Sequence, residues 1–291
     1  MSQTPSCNNI VTKCQLQTLV SKLYQTRATT SSLGQLGSCK FSDIDVFLRQ
    51  SYKPINDTYK CANFDRIVAI GDIHGDLLAL LSVLYMMNVI DIHGNWIGRQ
   101  TLVVQCGDFL DRTGRSTTVN TSNNVREEID IMQYMYQLHI DARKTKGAVI
   151  CLLGNHELNH VFSQKHNRWN DTELVQGWGG REMKEQLFAP GGPMARYLAM
   201  RCPLVLQVGN FLFMHGGIHC KVFTHLKLKT IHELNVMMRK LLLNTLNGPA
   251  NAKECLFYIV NDRCLANNQL TDEMCVRQLY KVFRHLTLKL K

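Results

Sequence analysis

No two of the eleven cysteines stand in a Cys-x-x-Cys spacing, and their number is odd. This argues against a zinc knuckle and against a disulfide framework. Several thiols lie inside apolar runs (VVQCGD, VICLLG), where cysteine acts as a small hydrophobe, so reduced thiols in a reducing compartment are expected. No stretch approaches the roughly 20 apolar residues that span a bilayer. The opening MSQTPSCNNIVTKCQLQ carries no apolar block of the secretory kind. The reading is a soluble intracellular protein, cytoplasmic or nuclear, with no membrane partner. No repeat of solenoid period occurs.

Basic residues form no run either, although Lys and Arg number 33 against 23 acidic residues, a net charge of +10. The excess suits anionic partners and is greatest in residues 221–291, but it reads as a solvated basic face, and nucleic acid is not the expected partner. With 45% apolar and 19% charged residues, the 291-residue chain has an ordinary globular composition and can bury a sizeable core.

Residues 1–62 read as a partly helical N-terminal extension. CQLQTLVSKLYQ has helical spacing, TRATTSSLGQLGS is a loop, and FSDIDVFLRQ is a short helix with Ser42 as N-cap. From residue 63 to 291 the pattern becomes strand, loop, helix. RIVAIG, TLVVQC and AVICLLG are strands buried on both faces. DLLALLSVLYMMNV and EEIDIMQYMYQLHIDARK are the intervening helices. PLVLQVGNFLFMHGG is a hairpin turning at Gly209-Asn210. The alternation predicts an α/β fold, whose ligands bind beyond the carboxyl ends of the strands.

Those ends carry the chemistry. IVAI runs into Gly71-Asp72-Ile73-His74-Gly75-Asp76, and LVVQC into Gly107-Asp108-Phe109-Leu110-Asp111-Arg112. VICLL runs into Gly154-Asn155-His156-Glu157, and FLFM into His215-Gly216-Gly217. Carboxylate, imidazole and amide oxygen together suit Mn, Fe or Zn. Two such ions, roughly 3.5–4 Å apart, can share a carboxylate and a water and clamp the attacking and leaving oxygens of a displacement. Glycines let the backbone turn sharply and approach closely. A second Asp-Ile-His-Gly, at 91–94, follows a helix rather than a strand, so His93 reads as a surface residue in a turn. His160 and His166, just after the third motif, read as solvated loop histidines.

GDIHGD, GDFLDR, GNHE and HGG, in that order, resemble the calcineurin-like metallophosphoesterases and, within them, the serine/threonine protein phosphatase branch. GDIHGD and APGGPMARYLAMRCPLVLQVGNFLFMHGGI are closest to the Shewanella-like phosphatases. The resemblance covers about residues 65–220. It implies a sandwich of two mixed β-sheets flanked by helices, and two divalent metals, Mn with Fe or Zn as alternatives. By motif, Asp72 and His74 would bind the first metal, Asp108 would bridge, and Asn155 and His215 would bind the second. His156 would be the general acid, oriented by Asp111, and Arg112 would hold the phosphate. The implied reaction is direct attack by a metal-bridging hydroxide. Arg168 and Arg181 are further phosphate candidates, although surface arginines would look the same.

The match thins after residue 220. The family's last metal-binding histidine stands on a strand end well downstream of HGG, and no such motif occurs here. His285, in LYKVFRHLTLKLK, has helical surroundings instead. Arg263, in LFYIVNDRC, is the nearest match to a further phosphate-binding arginine. The expectation is a phosphoesterase domain truncated at its C-terminus, with an open second-metal site and reduced activity. Its substrate would be a phosphorylated protein or small phosphate ester. A nucleotide or dinucleoside-polyphosphate hydrolase and a phospho-binding pseudophosphatase are the competing readings. The motifs leave oligomeric state undetermined.

Overall fold

Arg66–Ile70, Thr101–Gln105 and Ala148–Cys151 form strands β2, β3 and β4 of one sheet in a computed structural model of the chain. The structure describes residues 41–111, 124–162 and 178–262, with residues 277, 280–282 and 284. All three strands are parallel, in the order β2-β3-β4. Every residue of β3 is buried, as a central parallel strand covered on both faces requires. The crossovers are α2 (Leu77–Met86) and α3 (Asn124–Lys144).

A second sheet holds β1 (Thr58–Tyr59), β5 (Val205–Val208) and β6 (Phe211–Met214), in the order β1-β5-β6. It is mixed: β1 runs parallel to β5, and β5 pairs antiparallel with β6 through the expected hairpin, where Gly209 takes φ 58°. Leu102, Val104, Ala148, Ile150, Leu206 and Val208 pack together between the sheets. Val103 and Val149 point the other way, into a core shared with Leu80, Leu84, Met135 and Leu138 of α2 and α3. Alternation along each strand thus separates the two cores.

Further helices among the described residues are α1 (Phe41–Leu48), α4 (Asn155–Phe162), α5 (Arg181–Phe188), α6 (Pro193–Arg201), α7 (Cys220–Leu226), α8 (Ile231–Leu242) and α9 (Ala252–Asn261). Helix α1 and strand β1 come from the segment that sequence pattern assigned to the extension. Ile44, Phe47, Leu48 and Ile55 are nevertheless buried, and β1 is an edge of the second sheet. Ser42 falls inside α1 rather than capping it. The helix expected at CQLQTLVSKLYQ lies outside the described residues.

His139 of α3 faces β4, its Nδ1 2.8 Å from the Val149 carbonyl. Burial, then the nearby charge of Arg201, pushes the imidazole down to about 4 from an ordinary value of 6.5. The unfolded chain therefore binds the extra proton first. Stability from this group is present above pH 6.5 and is lost as pH falls toward 4, by at most about 3 kcal/mol. Thermal melts should show a Tm that drops between pH 7 and pH 5, and the drop should be smaller in His139→Gln.

Candidate metal centre

Ile70, Gln105 and Cys151 pair in register, so the three strands end level and their motif loops start side by side. The loops are then laced together. The amides of Ile73 and His74 donate to the Asp108 carbonyl at 3.1 and 2.9 Å, and that of Gly75 to the Phe109 carbonyl at 2.9 Å. His74, Asp108 and Asp111 take φ values of 46°, 56° and 74°, a left-handed conformation that side-chain-bearing residues seldom adopt and that clusters at functional sites. Gly154 is required by contact: a Cβ there would run into the Asp108 side chain and backbone nitrogen.

The side chains converge on the Asp108 carboxylate. Its Oδ2 lies 3.3 Å from His215 Nε2, 3.7 Å from His156 Nε2 and 3.8 Å from His74 Nε2. Asp72 Oδ2 is 3.5 Å from His74 Nε2, and Asn155 Oδ1 is 2.9 Å from His215 Nε2. Among the described residues, two groups have ligand atoms close enough for one ion each, His74-Asp108-His156 and Asp72-Asp108-His215, with Asp108 common to both. Asp108 stands in both groups, but the groups place Asp72 with His215 and His156 with His74, where the motif reading placed Asp72 with His74 and kept His156 as an acid.

The donor set fits a cation. His74 Nδ1 lies 3.2 Å from the Leu110 carbonyl, and His215 Nδ1 lies 3.0 Å from the Cys106 carbonyl. Each ring's proton belongs on the nitrogen facing its carbonyl, which leaves both Nε2 lone pairs aimed inward. Around His215 Nε2, the Asp108 carboxylate at 3.3 Å and the Asn155 amide oxygen at 2.9 Å converge on one point. Such a meeting of acceptors calls for positive charge. The electrostatics agree: burial alone would raise the Asp108 carboxyl, but its bonds to His215 and the His156 amide hold it below the ordinary range. His215 is raised against the effect of burial by its bond to Asp108. A proton there occupies the place that a metal ion would take.

His156 is different. Its Nδ1 lies 2.6 Å from Asp111 Oδ2, so Asp111 fixes the tautomer and turns Nε2 toward the cluster. Its own amide donates to Asp108 Oδ1 at 2.9 Å.

Three supporting side chains escaped the sequence reading. Glu157, fully buried, accepts the amides of Asp108 (2.9 Å), Leu110 (3.0 Å) and Gly154 (2.8 Å). Burial, then the charge of Asp108, pushes its carboxyl up to about 7, with the three amide bonds opposing. Glu128 of α3 accepts the Asp111 amide at 2.7 Å. Gln105 spans Gly71 and Gly107, donating to their carbonyls at 3.2 and 2.6 Å. Gln105 had a signal, a polar residue in an otherwise apolar buried strand. Glu157 stood in a motif already quoted, and Glu128 had no signal.

Other expectations divide. His93 is exposed in a turn within a small hairpin closed by the Ile90–Trp96 bridge, as read. His160 is not a solvated loop residue: it is buried on α4, its ring 5.1 Å from Phe188. Asp76, last of GDIHGD, caps α2 by accepting the Ala79 amide at 2.9 Å. Arg181 is exposed at the start of α5. Arg112, His166, Arg168, Arg263 and His285 lie outside the described residues.

Residues 65–267 match the model of the calcineurin-like phosphoesterase family. The chain belongs to that family. Among curated relatives of this phosphoesterase, Shewanella-like protein phosphatase 2 of Arabidopsis thaliana is 26% identical over 194 residues, covering 53% of this chain and 46% of that protein. Shewanella-like protein phosphatase 1 of Plasmodium berghei is 30% identical over 183 residues, covering 62% of this chain and 42% of that one. The chain thus spans less than half the length of either. A solved structure of a cold-active protein-tyrosine phosphatase from a psychrophilic Shewanella species superimposes with a TM-score of 0.57 at 21% identity, covering 82% of this chain and 66% of its own. That likeness carries the two-sheet fold of the family. No described helix is long and apolar enough to cross a membrane.

Proposed function

We propose that this calcineurin-like phosphoesterase is a metal-dependent phosphomonoesterase of the protein-phosphatase type. The observation that carries the reading is the convergence of Asp72, His74, Asn155 and His215 on Asp108, beside a His156–Asp111 pair that points into the same cluster. The relatives' names, protein phosphatases, support the substrate class.

Asp72, His74 and Asp108 would hold one divalent ion, and Asp108, Asn155 and His215 the other, with Mn, Fe and Zn all suited to this mixed oxygen and nitrogen set. When bound, such ions supply Lewis-acid activation of water and of the phosphoryl oxygens. Two carboxylates against two divalent ions leave a site of net positive charge, suited to a phosphate-ester dianion. Asp111 accepts the Nδ1 proton of His156 and orients the ring, and His156 Nε2 delivers a proton to the leaving oxygen. Arg112, next in the chain to Asp111, would hold the phosphate through its fork of donors, with Arg168, Arg181 and Arg263 as further candidates. The natural substrate would be a phosphorylated protein or a small phosphate ester, acted on in a reducing compartment.

The purified chain should hydrolyse p-nitrophenyl phosphate with Mn²⁺, lose that activity in EDTA, and recover it when Mn²⁺ is returned. A phosphopeptide should be a better substrate than a dinucleoside polyphosphate; the reverse order would favour the nucleotide hydrolase. Metal-dependent binding of the aryl phosphate with no turnover would overturn the enzymatic reading in favour of a phospho-binding module.

A further inference from the structure

Glu157 is the third residue of α4, where a glutamate commonly accepts the amide of the residue preceding the helix. It does so here with Gly154, at 2.8 Å. A helix cap needs nothing more. The same carboxylate nevertheless reaches 49 and 47 residues back in the chain, to the amides of Asp108 at 2.9 Å and Leu110 at 3.0 Å, and it is fully buried. Each of the three amides stands next to, or belongs to, a member of the metal centre. Asp108 is the shared ligand. The Leu110 carbonyl faces His74 Nδ1 at 3.2 Å and so sets that ring. Gly154 precedes Asn155.

Asp108 is also held from its other side, by the amides of Ile73 and His74 on its carbonyl. Its left-handed φ of 56° therefore persists because both faces of the peptide are tied. Glu157 Oε2 takes two of the three bonds and Oε1 the third. Only a carboxylate of this length offers acceptors to all of them. In a glutamine, the amide nitrogen would face a backbone N–H.

We propose that Glu157 is a positioning residue for the metal centre, fixing Asp108, His74 and Asn155 at one spacing through the backbone while touching no ion itself. The proposal rests on the reading of the site as a two-metal centre. Groups that support ligands in this way typically change metal affinity by about 10–100-fold when replaced.

The test is equilibrium dialysis of wild type, Glu157→Gln and Glu157→Asp against Mn²⁺, with bound metal counted, the circular dichroism of the metal-free proteins compared, and steady-state kinetics on p-nitrophenyl phosphate. Glu157→Gln should bind Mn²⁺ about 10–100-fold more weakly than wild type. Its KM should hold, and its kcat should recover as Mn²⁺ is raised. A merely structural role would lower Tm and leave Mn²⁺ affinity at the folded baseline unchanged; unchanged affinity overturns the proposal. Should neither variant fold, amide exchange of the metal-free wild type decides. Protection of Asp108 and Leu110 equal to that of Val103 and Val104 supports the clamp, and exchange at an open loop's rate refutes it. A wild type that binds no Mn²⁺ would instead sink the two-metal reading, with amide exchange still reporting on the clamp.

Discussion

Asp108→Asn should lower kcat/KM on an aryl phosphate by about 10³-fold or more, with no recovery at high Mn²⁺. Asp108 Oδ2 is the point that three imidazole Nε2 atoms face, at 3.3, 3.7 and 3.8 Å. Asparagine keeps the shape but removes the charge and replaces one acceptor with a donor. Losing metal-centred charge stabilisation costs several kcal/mol. About 4 kcal/mol corresponds to roughly 10³ in rate, at 1.36 kcal/mol per tenfold. Kinetics across an Mn²⁺ titration check this. The contrast with Glu157→Gln is diagnostic, because a displaced ligand can be compensated by excess metal and a missing one cannot. Activity within tenfold of wild type would mean that Asp108 is not the shared ligand.

His156→Asn should cost kcat about 10²–10⁴-fold, the usual range for a positioned general acid. The loss should depend on the leaving group. Nitrophenolate departs without much help, whereas an alkoxide needs the proton, so an alkyl phosphate or phosphoserine peptide should suffer more than p-nitrophenyl phosphate. Asp111→Asn should show the same dependence, and the double variant should be little worse than either single one, since the two act as a unit. Bound Mn²⁺ should stay at the wild-type count. The last point matters because His156 Nε2 also lies within ligand distance of His74 and Asp108. Loss of metal in His156→Asn would reassign it from acid to ligand.

The strands that bear the site were legible because RIVAI, TLVVQC and AVICLL are largely apolar runs, each followed by a glycine beside a candidate ligand. The register that makes those run ends coincide, Ile70 with Gln105 with Cys151, places GDIHGD, GDFLDR and GNHE together. His93 was separable from His74 by the same logic, since no strand precedes it. Short or irregular pieces were harder. Strand β1 is two residues long, too short for any periodicity, so its union with β5 could be seen only in three dimensions. His160 follows its motif so closely that it read as loop, yet the helix opening at Asn155 carries it to a buried face. Glu128 supports Asp111 from 17 residues away, across an intervening segment with no pattern. Glu157 shows the deeper limit: its presence in GNHE was plain, but which backbone amides it would reach is a property of the folded loops.

On the proposed function, the Asp108 carboxylate is shared by two metal sites. Counting Mn²⁺ ions per chain, by elemental analysis after dialysis at saturating metal, tests it most directly. Two ions per chain in wild type, falling to one or none in Asp108→Asn, is the result this account requires. Wild type that holds no ion, or an Asp108→Asn variant that still holds two, would contradict it.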